Sequence, residues 1–110
     1  MKNAAGAYVE PTIASVSASA ADIARGLPKD TDFRLSIVNA PGKDAYPISS
    51  MTWLLVYERQ ANVDKGRKLV DFLTWMLNDG QQSAPALDFA PLPPAITRQL
   101  KDRLKQIKIG

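Results

Sequence analysis

Between Ala45 and Glu58 the chain reads AYPISSMTWLLVYE, where a proline-marked entry leads into a nearly unbroken apolar run. A run of strand length that is apolar on both faces predicts a strand buried between layers, with helices packed over it. Upstream, Phe33, Leu35 and Ile37 alternate with Arg34, Ser36 and Val38, the period of a second strand with one more consistently buried side. A short extended piece is expected near Tyr8. Helical spacing occurs in three places. Ile13, Val16, Ala20 and Ala24 follow Pro11 and predict a helix over Thr12–Ala24, stopped by Gly26, Leu27 and Pro28. Leu69, Phe72, Leu73, Met76 and Leu77 predict a second helix starting at Asp64 as N-cap and ending at Asn78, Asp79 and Gly80; Val70 and Trp75 widen its apolar surface, and core packing accounts for its aromatics. Ile96, Leu100, Leu104 and Ile107 form the inner stripe of a third. Before it, LDFAPLPP reads as an ordered connector pinned by Leu87, Phe89 and Leu92. The pattern as a whole predicts an α/β arrangement of few strands clad by about three helices.

Composition narrows the chemistry. With 110 residues, 45% of them apolar, the chain can form one small core. A net charge of +3 does not demand a polyanion partner. Cysteine and histidine are both absent, which removes thiolate nucleophiles, soft metal sites, the Ser-His triad and histidine acid–base catalysis together. No metal site and no catalytic residue is expected, because the aspartates form no convincing pair and Lys43 and Lys65 sit in polar sequence. The N-terminal MKNAAGAYVEPTIASV does not read as a secretory signal, and no window has the length of a membrane span. Thr12 and Ser15 are expected to serve the backbone at a helix start rather than a phosphate. NAPGKDAY lacks the repeated glycines of a nucleotide loop and is read as a connection. Trp53 is expected in the core. The cations Arg98, Lys101, Arg103, Lys105 and Lys108 are read as the solvated side of the last helix, with a basic nucleic-acid-binding module as an alternative lacking a helix-turn-helix pattern or aromatic interleaving. Ser49, Ser50 and Thr52 remain as weak ligand-binding candidates beside the apolar run.

Four segments in order, NAAGAYVEPT, SIVNAPGKDAYPISSMTWLLVY, LVDFLTWMLNDGQ and LDFAPLPPAI, give the chain a resemblance to the C-terminal portion of the periplasmic phosphate-binding proteins of phosphate ABC transporters. The resemblance implies a partial two-lobe periplasmic binding-protein fold of type II-like kind. Residues 1–45 would be the end of the second lobe, and residues 46–110 the crossing segment and the C-terminal part of the first. It further implies a non-enzymatic parent in the periplasm, with inorganic phosphate and an ABC permease as partners of the full-length protein, and no cofactor. The family's main phosphate contacts come from an early strand-to-helix turn, a later acidic residue and an Arg-Ser-Gly-Thr type element. None of these occurs in the present sequence, so no phosphate-contacting residue is carried over. A strand left without neighbours leads to the expectation of a homo-oligomer or strand exchange, and a structural or self-association module without ligand binding is the alternative function.

Overall fold

The computed structural model describes residues 1–110. Its first helix, α1, spans Ile13–Ala24 and is closed at its start by a capping box: Thr12 accepts from the Ser15 amide while Ser15 accepts from the Thr12 amide. Helix α2, Val63–Leu77, begins at Asn62, whose side chain accepts from the Lys65 amide at 2.9 Å; the N-cap is therefore Asn62, two residues before the expected Asp64, which instead sits in the first turn where a carboxylate suits the helix dipole. Two short 3-10 turns, Asp79–Ser83 and Pro85–Leu87, follow, and α3 occupies Pro94–Leu104 with proline in its first turn.

Two strands of two residues each, β1 at Arg59–Gln60 and β2 at Lys108–Ile109, pair in parallel. Parallel strands require a crossover, and here α2 and α3 supply it. Gly66 lets α2 approach the pair, since a Cβ there would lie 2.9 Å from Gln60 Cβ and 3.2 Å from Ile109 Cγ2. Near the N-terminus, Lys2 and Tyr8 form an isolated antiparallel bridge around Gly6, which takes φ +80°, so the extended piece expected near Tyr8 is present.

The core cluster is Ala20, Ala24, Ile37 and Ile96, flanked by Ile23, Leu27, Phe33, Leu35, Met51, Leu92, Ala95 and Leu100. It lies where α1, the Phe33–Ile37 segment and the start of α3 meet. Only 14 of 110 residues are buried, and the radius of gyration is 15.6 Å against about 13 Å for a compact chain of this length, so much of the apolar surface has nothing over it. The molecule measures 51 × 30 × 18 Å. It is a small, elongated α/β arrangement of three helices and few strands; its two-stranded sheet is neither closed nor divided into lobes.

Several expectations need correction. Met51–Tyr57 forms no strand: none of these residues makes a backbone–backbone hydrogen bond, the Met51 and Tyr57 carbonyls accepting only from the Ser50 and Gln60 side chains, and Leu55 and Tyr57 are 97% and 85% exposed. A strand exists only through a partner, and the chain places none beside this run. Trp53 is half-exposed rather than core, its indole N–H donating to the Phe33 carbonyl at 2.9 Å. Phe33–Val38 keeps the alternation of inward and outward residues but has no ladder; positive φ at Phe33 (61°) and Asn39 (51°) brackets it and turns the chain away at both ends. Phe72 and Trp75 stack on each other, ring centroids 5.9 Å apart, on an exposed side of α2 instead of packing in the core. Of the three connector pins only Leu92 reaches the core, while Leu87 and Phe89 are exposed.

Candidate ligand-binding site

The most tightly specified part of the molecule is the loop from Asn39 to Ser50. Its organiser is Asn3, a buried side chain whose amide donates to the carbonyls of Gly42 (3.2 Å), Lys43 (2.8 Å) and Ala45 (3.1 Å) and whose oxygen accepts from the Ala7 amide. From the other side α1 holds the same loop. The Tyr46 amide donates to the Ser15 carbonyl at 3.1 Å, and the single hydroxyl proton of fully buried Ser19 is shared between the Tyr46 carbonyl at 3.0 Å and the Ser15 carbonyl at 3.1 Å. Ser15 and Ser19 thus share the buried face of α1 with Ala20 and Ala24, which the apolar spacing placed there, whereas Ile13 of the same predicted stripe is exposed and Val16 half-buried. Paired hydroxyls four residues apart carry no apolar signal, so periodicity alone passes over them.

Ser49, Ser50 and Thr52 end differently and do not converge. Ser49 is buried and donates to the Tyr46 carbonyl at 2.8 Å, so its hydroxyl proton is already engaged in holding the loop. Ser50 is exposed, with its hydroxyl toward the Met51 carbonyl at 3.3 Å, and Thr52 is exposed without a side-chain hydrogen bond. Thr12 and Ser15 are engaged in the capping box, as expected of hydroxyls at a helix start.

Two open depressions of about 370 Å³ flank α1. One lies between its small residues Ala14, Ser17, Ala18 and Ala21 and the segment Pro91–Pro94, and is almost wholly apolar. The other is lined by Asp22, Arg25, Gly42, Lys43 and Asp44 with Ala18 and Ala21. Its charges oppose one another: Asp22 pairs with Arg25 at 3.4 Å, and Asp44 accompanies Lys43. Carboxylates of this kind work against an anion, which agrees with reading NAPGKDAY as a connection. The second Asp22 oxygen is buried, lacks a hydrogen bond, and lies against Gly42, where a methyl group would run into it. No cluster of three metal-ligating side chains forms, and no helix is long and apolar enough to cross a membrane.

Comparison of the sequence with known proteins adds a distant relationship. No family model matches the chain. It is 33% identical over 101 residues to the phosphate-binding protein PstS of Xylella fastidiosa, a match covering 92% of this chain and 27% of that protein. It is 32% identical over 90 residues to the phosphate-binding protein PstS of Methanocaldococcus jannaschii, covering 74% of this chain and 23% of that one. A putative serine/threonine-protein kinase/receptor of Acanthamoeba polyphaga mimivirus is 28% identical over 111 residues, which is 97% of this chain but 7% of that protein. The chain therefore spans about a quarter of the length of the curated phosphate-binding relatives it matches. Those relatives are named for binding rather than catalysis, in agreement with a chain that is not an enzyme. Bacterial and archaeal matches agree in name and each cover most of the chain, and on that consistency the chain is a distant homologue of the PstS phosphate-binding proteins.

Proposed function

We propose that the chain is the C-terminal part of a periplasmic substrate-binding protein that captures inorganic phosphate for uptake through an ABC permease, and that it supplies framework rather than the principal phosphate contacts. The carrying observation is the match to phosphate-binding proteins from bacteria and an archaeon over 74% to 96% of the chain. In this reading residues 1–45 close the second lobe, and residues 46–110 cross into the first and complete it. Engagement of Ser49 with the Tyr46 carbonyl, and the mixed charges around Lys43, support a framework role. The test is a chimera in which this chain replaces the matched region of the Xylella fastidiosa protein. A folded chimera that titrates with phosphate at one site per molecule is the expected result; a folded chimera that has lost phosphate binding overturns the lineage's function for this chain. Titration of the isolated chain completes the test. No saturable heat is expected, and a saturable one-to-one response would instead place a phosphate site within residues 1–110.

A second reading, self-association without a ligand, is favoured by one observation: the exposed apolar run Met51–Tyr57.

A further inference from the structure

We draw no further inference here: the strongest candidate, the bare apolar run Met51–Tyr57 between the Asn39–Ser50 loop and β1, carries none because nothing in the structure shows what covers it.

Discussion

At the scale of single residues, the molecule depends on polar side chains that a hydrophobicity profile ignores. Asn3 reaches three loop carbonyls with the two N–H bonds of its side-chain amide, one of them shared, and accepts from a backbone amide through its oxygen. Asn3→Ala should therefore lower stability by about 2 kcal/mol in a urea titration, the range expected when buried carbonyls lose their donors. Gly42 makes the complementary case. Its φ is ordinary, and what requires glycine is the Asp22 carboxylate lying against it. Gly42→Ala should destabilise by about 1–3 kcal/mol, and the double variant with Asp22→Ala should recover most of that loss, because the collision disappears and the Asp22–Arg25 pair, with Arg25 largely exposed, contributes little. Neither role could be read from the sequence: Asn3 acts on carbonyls some 40 positions away, and a close approach leaves no mark on composition.

Between elements, legibility followed local cause. All three helices lie where apolar spacing put them, since caps and periodicity are properties of adjacent residues, but α3 ends at Leu104, so Ile107 of the expected stripe lies past it and Lys108, expected on its solvated side, stands in β2. The strands did not follow. Met51–Tyr57 has the composition of a buried strand, but composition cannot supply the neighbour that makes a strand, and the only ladder formed instead from Arg59–Gln60 and Lys108–Ile109, too short to leave a periodic trace. For the candidate site, the sequence was right that hydroxyls near Thr12 serve the backbone, while the brace formed by Asn3, Ser15 and Ser19 went unseen. Two apolar positions separate packing from mere hydrophobicity. Ile96→Val, at a site 2% exposed, should cost about 1 kcal/mol, whereas Leu55→Ala, at 97%, should change the stability of the monomer by less than about 0.5 kcal/mol; paired urea titrations at low protein concentration measure both.

Taken whole, the molecule is asymmetric in charge as well as in shape. Residues 1–57 carry five basic and five acidic side chains, so the entire net charge of +3 resides in residues 58–110, with the parallel strand pair and the two helices that cross between its strands. Those helices are clasped at one end by the parallel pair, where the Lys108 amide donates to the Glu58 carbonyl at 2.7 Å and the Gly110 amide to the Gln60 carbonyl at 2.9 Å. Removing Lys108–Gly110 should speed amide exchange along α2 while leaving the loop held by Asn3 and Ser19 protected, an outcome read by hydrogen exchange with residue resolution. The clasp also turns the stretch from Gln60 to Lys108 into a ring, and the entropy of closing a flexible ring rises only by about 0.6 kcal/mol for each doubling of its length. Leu87 to Phe89 lies on that ring, exposed, at a turn where Asp88 already takes a left-handed conformation at φ 60°. A guest peptide could be spliced in there and the ring would simply grow.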